Sequence, residues 1–303
     1  MSRRRWGAGV AAACVIGASA VKGQGCPPPR ESRDQWLALP ARRFVVADSV
    51  RGALALSLME CLSHRDPTLR DAVAVSALSS WLRGRLLPPE TVGALARRGL
   101  TLLTSPTDSA GLTQSFAALV LSEVVRADRL DSALAPAVLA AIGYEAVRVM
   151  ASLRDYRGFD REVGWRHGVA HAADLTLQLG LHPRVGASTV EQLLTALASQ
   201  VGAHDGHVYL ESEPERMARA VAFIFARGVL PLAYWDAWTR AVASPRPFGS
   251  WSAAFESPAG RARRHNVVAF LHALGFAARM ARPTPLEALS ALVDRELRQL
   301  IAA

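Results

Sequence analysis

His167 and His171 stand four residues apart and are followed by Asp174 and Gln178. On a helix turning 100° per residue these four fall within about 60° of one another. The stripe holds no Lys, Arg or Glu, the residues of an ordinary solvated face. Trp165, Val169, Leu175, Leu177 and Leu179 continue apolar packing on both sides. A narrow polar stripe of this kind is either a satisfied buried network or a site.

Three chemistries are open to it. Histidines at i and i+4 make a ligand pair for a divalent transition metal. A metal-dependent hydrolase built on His167 and His171 would draw its other ligands from Asp205, His207, Glu213, His265 or His272. Asp174 lies about 10.5 Å along the axis from His167, and helical side chains lean towards the N-terminus. It therefore suits a hydrogen-bond acceptor for His171 better than a third ligand. The second chemistry is metal-free. Asp155 and Arg157 precede the helix, and Arg157-Gly158 would set a guanidinium and a bare backbone against a small anionic ligand. A His–Asp pair near an arginine has the parts of an acid–base site, and the structural alternative is an Asp155–Arg157 ion pair that pins the loop. No nucleophile accompanies it, since there is no G-x-S-x-G and neither Cys26 nor Cys61 is near in sequence. The third chemistry is recognition of a peptide or protein partner.

The elements that must position these residues are helices. From Ser49 onward apolar residues recur at spacings of three and four. The pattern predicts helices over 48–64, 67–85, 89–104, 111–127, 135–154, 164–181, 187–202, 213–227, 231–243, 258–281 and 284–301. Ser188-x-x-Glu191, Ser212-x-x-Glu215 and Thr284-x-x-Glu287 have capping-box form. Pro88-Pro89, Pro136, Pro214, Pro231, Pro258 and Pro285 fall near helix starts, where a missing N–H costs nothing. The expected fold is all-α, a HEAT-like stack of antiparallel helix pairs, with a globular bundle as the alternative.

The N-terminal residues read as a leader. Met1 to Arg5 carry three arginines, and an apolar run from Gly7 closes on Ala18-Ser19-Ala20. That is the form of an export signal over 1–20, with cleavage between 20 and 26 and a periplasmic or secreted destination. Residues 21–47 form a linker and arm, stiffened by Pro27 to Pro29, and 48–303 a single domain. Cys26 lacks the aliphatic residue expected three positions before a lipidated cysteine. After export, Cys26 and Cys61 are free to form a disulfide.

Composition excludes other classes. Half the 303 residues are hydrophobic, too many for a disordered chain. The net charge of +9 rests on 35 Lys and Arg residues of which only Lys22 is lysine. With abundant alanine, this points to coding bias rather than a nucleic-acid surface. Tyr234, Trp235, Trp238, Phe248, Trp251 and Phe255 cluster with prolines, as in a packed loop. Arg261, Arg263, Arg264 and His265 set positive charge at a helix start, where an anion or an anionic membrane surface would relieve it.

The run Arg157-Gly158-Phe159, followed by Gly164-Trp165-x-His167-x-x-Ala170-His171-x-x-Asp174, resembles the motif of the bacterial domain-of-unknown-function family DUF2785. The Glu213-x-x-Arg216 pair is similar to that family's acidic-then-Arg helix start. The resemblance implies an all-helical, HEAT-like fold without an assigned activity. It marks Trp165, His167, His171, Asp174, Glu213 and Arg216 as candidate binding residues beside Asp155 and Arg157.

Overall fold

The computed structural model describes residues 25–26, 32–284 and 286–302, so the leader at 1–20 and the Pro27–Arg30 linker lie outside the described residues. The fold is all-α, and its only sheet among the described residues is one two-stranded hairpin. In chain order the helices are α1 (Arg33–Leu37), α2 (Asp48–Leu58), α3 (Ser76–Arg83), α4 (Pro89–Leu103), α5 (Thr113–Asp131) and α6 (Pro136–Ser152). The hairpin follows, β1 (Phe159–Asp160) and β2 (Gly164–Trp165). Then come α7 (Gly168–Gly180), α8 (Ala187–Val201), α9 (Glu213–Ala226), α10 (Leu232–Val242), α11 (Trp251–Phe255), α12 (Pro258–Met280) and α13 (Glu287–Ala302). A 3-10 turn (Met59–Ser63) extends α2, and a π-helical turn (Thr68–Val75) leads into α3.

Proline sets many of the starts. Pro89, Pro136 and Pro258 occupy the first turns of their helices, and Pro88 and Pro231 are N-caps. Two expected capping boxes do not form. Helix α8 starts from Gly186, and Ser212 caps α9 from a left-handed backbone without a side-chain bond. A capping box does form between Ser32 and Gln35 on α1, a five-residue helix too short for apolar spacing to reveal.

Side-chain bonds fix the directions of the helices. Ser115 of α5 meets His171 of α7, and Arg129 of α5 approaches Gln178 of α7. Asp174 of α7 meets Arg216 of α9, and Arg227 beyond α9 donates to the Gly180 carbonyl at 2.8 Å. Helices α5, α7 and α9 therefore run parallel as neighbours, and α12 packs on α9. Behind them α4, α6 and α8 form a second row, with Thr189 against Gly143 and Gln200 bonded to the Met150 carbonyl at 2.7 Å. The rows oppose each other, since Gln114 at the start of α5 bonds carbonyls at the end of α4.

One core runs between the rows, from Trp36 and Trp81 through Phe116 and Leu193 to Trp235 and Phe270. The aromatic cluster of α10 and α11 belongs to it, with Trp235, Trp238 and Trp251 buried. No described helix is long and apolar enough to cross a membrane. The topology gathers the N-termini of α5, α7 and α9 and the C-termini of α6 and α8 at one end. The loops over 104–112, 153–167 and 202–212 gather there too.

Candidate functional site

At this end the chain leaves α6, forms the hairpin, and turns into α7 through His167. Expecting helix from residue 164 was wrong here. Gly164 takes a left-handed φ of +70° in β2, and His167 is the N-cap of α7 with φ 51° and ψ 38°. A Cβ on Gly164 would also sit 2.9 Å from Pro67 and 3.3 Å from the Arg70 guanidinium. Glycine there lets the hairpin turn while Arg70 reaches its carbonyls.

The two histidines stay together although only His171 is helical. Their ring centroids are 5.8 Å apart, edge to face, and the His167 ring stacks on Trp165 at 4.1 Å. Trp165 in turn meets Phe159 at 5.0 Å, and both aromatics are exposed. On the inner side His171 packs edge-on against Phe116, whose other partner is the Arg70 guanidinium, 4.5 Å from the ring. The result is a continuous aromatic line from the core to the surface.

His171 is buried and its tautomer follows from its neighbour. The Ser115 hydroxyl donates to the Arg166 carbonyl, so its oxygen must accept from His171 Nδ1–H, at 2.8 Å. Nε2 then carries the lone pair. Ser115 is not placed as a nucleophile, because its proton goes to a carbonyl and its oxygen is buried. Burial holds the His171 pKa well below the usual histidine range, and the charges of His167 and Arg216 add to this. His167 is shifted the same way by burial and then by Arg216, with Glu211 opposing. Its Nδ1 is buried with no partner among the described residues.

Asp174 does not pair with His171, contrary to the sequence expectation. It makes a two-point ion pair with Arg216, whose Nε donates to Oδ1 at 3.0 Å and whose Nη2 donates to Oδ2. The reason is direction: Asp174 leaves α7 towards α9, while His171 leaves it towards α5. Burial and Arg219 pull the Arg216 pKa down, but a guanidinium keeps its proton in proteins. Glu213 is buried at the start of α9 and accepts from the Glu211 backbone at 3.0 Å. Burial raises its pKa.

Asp155 and Arg157 form the loop-pinning ion pair, at 2.8 and 2.5 Å, and Arg157 also donates to the Ser109 carbonyl. The bare backbone at Gly158 is already covered, since a Cβ there would lie 2.4 Å from Glu211 Cγ. The anion expected against Gly158 therefore meets the chain's own glutamate. Nor do the proposed metal donors converge. His207 stacks on Tyr156, Glu213 is held as described, and His265 sits beside Arg261 and Arg264. Among the described residues no group of three His, Cys, Asp or Glu is placed to hold a metal ion. The sulfurs of Cys26 and Cys61 are bonded, tying the arm to the 3-10 turn after α2.

Three residues that sequence spacing did not single out complete the site: Ser115, Arg70 and Arg166. Arg166 is buried, and its Nε donates to the Ala110 carbonyl at 2.6 Å. The bonds that join them to the hairpin and to the loop before α5 link residues 51 to 95 apart, beyond any periodic pattern.

The depressed histidines predict acid sensitivity. In the unfolded chain His171 binds a proton near pH 6.5, whereas in the fold it stays neutral to a lower pH. Stability present at neutral pH is therefore lost as pH falls below 6.5 towards the folded value, by about 1.4 kcal/mol per pH unit for one proton. His167, His182, His204 and His207 are shifted in the same direction by burial. Asp71 and Glu213, raised by burial, oppose this only nearer the carboxylate range. Denaturant midpoints between pH 7.5 and 5.5 should fall more steeply in the wild type than in His171→Asn, which keeps a donor for Ser115. Parallel slopes would contradict the assignment.

Searches of curated proteins and of solved structures gave no match to the chain. A family profile matches residues 100–276, more than half the chain, from the last turn of α4 to within α12. It thus spans the hairpin, both histidines, and the Asp174–Arg216 pair. The chain belongs to the family described as protein of unknown function (DUF2785).

Proposed function

We propose that the chain is a binding protein, a HEAT-like helical scaffold whose α5–α7–α9 face recognises an acidic peptide segment of a partner protein. Charge imbalance carries this reading. Ser115, Arg126 and Arg129 share one face of α5, His171, Asp174 and Gln178 one face of α7, and Arg216, Arg219 and Phe223 one face of α9. The carboxylate on these faces, Asp174, is consumed by Arg216. Arg126, Arg129 and Arg219 have no carboxylate partner among the described residues, and Arg129 Nε is buried without an acceptor. Unpaired guanidiniums on adjoining parallel helices favour carboxylates spaced along an extended or helical peptide. The exposed Trp165 and Phe159 at the loop end offer an aromatic anchor for the same partner.

The two-row order of parallel neighbours supports the HEAT-like description, in which successive helix pairs stack. The Cys26–Cys61 bond supports an oxidising compartment, consistent with export by the leader-like residues 1–20.

A peptide array with acidic, neutral and basic members tests the reading. Acidic peptides carrying an aromatic or aliphatic residue should be retained. The triple charge reversal Arg126→Glu, Arg129→Glu, Arg219→Glu should weaken their binding at least about tenfold, as expected from losing charge-assisted hydrogen bonds. Equal retention of basic peptides, or acidic binding untouched by the reversal, would remove this function.

A further inference from the structure

A cleft of about 760 Å³ lies at the loop end, on the side of the second row of helices. Arg148, Val149 and Ser152 of α6 form one wall, and the Leu153–Arg157 loop forms the floor. Thr107 and Gln114 close one side and His207 the other. The volume falls within the range of small-molecule sites. Neither Ser115 nor His171 is among the residues that line this cleft.

The lining is cationic in a particular way. Three guanidiniums face one carboxylate, Asp155, which Arg157 holds at two points. Arg148 is paired with Glu145 at 2.6 Å, outside the lining. Arg154 has no carboxylate partner among the described residues. One of its nitrogens, Nη1, donates to the Ala151 and Leu153 carbonyls, at 3.2 and 2.5 Å. Its Nε and Nη2 donate to nothing described, and they carry three of the five N–H groups of the guanidinium. The neighbouring His207 ring lies parallel to Tyr156, with centroids 5.0 Å apart and 17° between planes, and its nitrogens also lack described partners. Tyr156 itself is fully engaged. Its hydroxyl bonds Gln200 Oε1 at 3.0 Å and accepts from the His204 backbone at 3.0 Å, which leaves the cleft a fixed aromatic edge. Val149 and Leu153 add apolar surface beside the free donors.

We infer that this cleft binds a small organic anion, a carboxylate or phosphate ester with an aromatic or aliphatic body. The oxyanion sits on Arg154 and Arg148 with a His207 N–H, and the body lies along Val149, Leu153 and Tyr156. A free oxyanion would use only half of this surface, and a neutral aromatic only the other half. The site stands on different residues from those of the acidic-peptide face, so either can hold without the other.

Calorimetric titration with phenyl phosphate and with benzoate tests the inference, with inorganic phosphate and benzyl alcohol as the two half-ligands. Phenyl phosphate or benzoate should bind, and each half-ligand should bind at least about tenfold more weakly. In Arg148→Gln/Arg154→Gln the affinity for the whole anion should fall at least about tenfold. Both residues are exposed, so an unchanged melting curve of the free variant shows that the fold persists. Ser152→Trp, which fills the cleft without altering its charge, should abolish binding as well. The inference is overturned if neither whole anion binds at millimolar concentration, if inorganic phosphate binds as tightly as phenyl phosphate, or if either variant binds like the wild type.

Discussion

Replacing Arg70 by methionine is expected to lower the unfolding free energy by about 2–4 kcal/mol, since each buried acceptor left unpaired costs about 1–3 kcal/mol and the half-buried Asp71 carboxylate loses its partner as well. The side chain is wholly buried, yet each of its three guanidinium nitrogens is hydrogen-bonded. Nε and Nη2 bond the two Asp71 oxygens at 2.9 and 3.0 Å. Nη1 donates to the His64 carbonyl at 2.9 Å, and Nη2 to the Val163 carbonyl at 2.6 Å. Methionine fills a similar volume and packs on Phe116, so the expected loss is not a cavity effect. It strands two carbonyls and a carboxylate whose pKa burial already raises. Arg70→Lys should recover only part of the loss, because an ammonium cannot reproduce the planar fork. The midpoint of guanidinium denaturation reads the effect. A methionine variant as stable as the wild type would mean that the hairpin does not depend on Arg70.

The second large effect is expected at the disulfide. Closing a loop over a separation of 35 residues restricts the unfolded chain by about 3–4 kcal/mol in the chain-entropy account. Cys26→Ser, which leaves the buried Cys61 in place, should lower the denaturation midpoint correspondingly, and reductant should do the same to the wild type. The described part of the arm is also held by Trp36 and Leu39 in the core, by the Arg33–Asp66 ion pair and by the Phe44 carbonyl, which accepts from Trp81 Nε1 at 2.8 Å. With these anchors in place, loss of the bond should loosen the arm before it unfolds the domain. Identical midpoints with and without reductant, or two free thiols on the folded protein, would dismiss the bond.

The sequence made the helices legible because their physics is local. Pro136 and the three-and-four spacing behind it give a helix expected over 135–154 and found at Pro136–Ser152. The same locality misleads at the start of α7. His167, His171 and Asp174 fit a helical stripe so well that the pattern takes in Gly164 and Gly168, although glycines so placed also suit a turn. The site was half legible. Its histidines could be found because they interrupt an apolar pattern, but Ser115 and Arg70 sit on other elements and follow no periodic rule. Asp174 and Arg216 were both visible, and only packing of α7 on α9 could join them.

The stack of Trp165 on His167 has an optical consequence. Every other described tryptophan is buried, whereas the Trp165 indole is 39% exposed and lies flat against an imidazole. Among the described tryptophans its emission is therefore expected to be the reddest and the most open to a soluble quencher. Protonation of His167, or a partner laid over the hairpin, changes that emission without disturbing the others. The region carries its own fluorophore, and occupancy can be followed in the unlabelled protein.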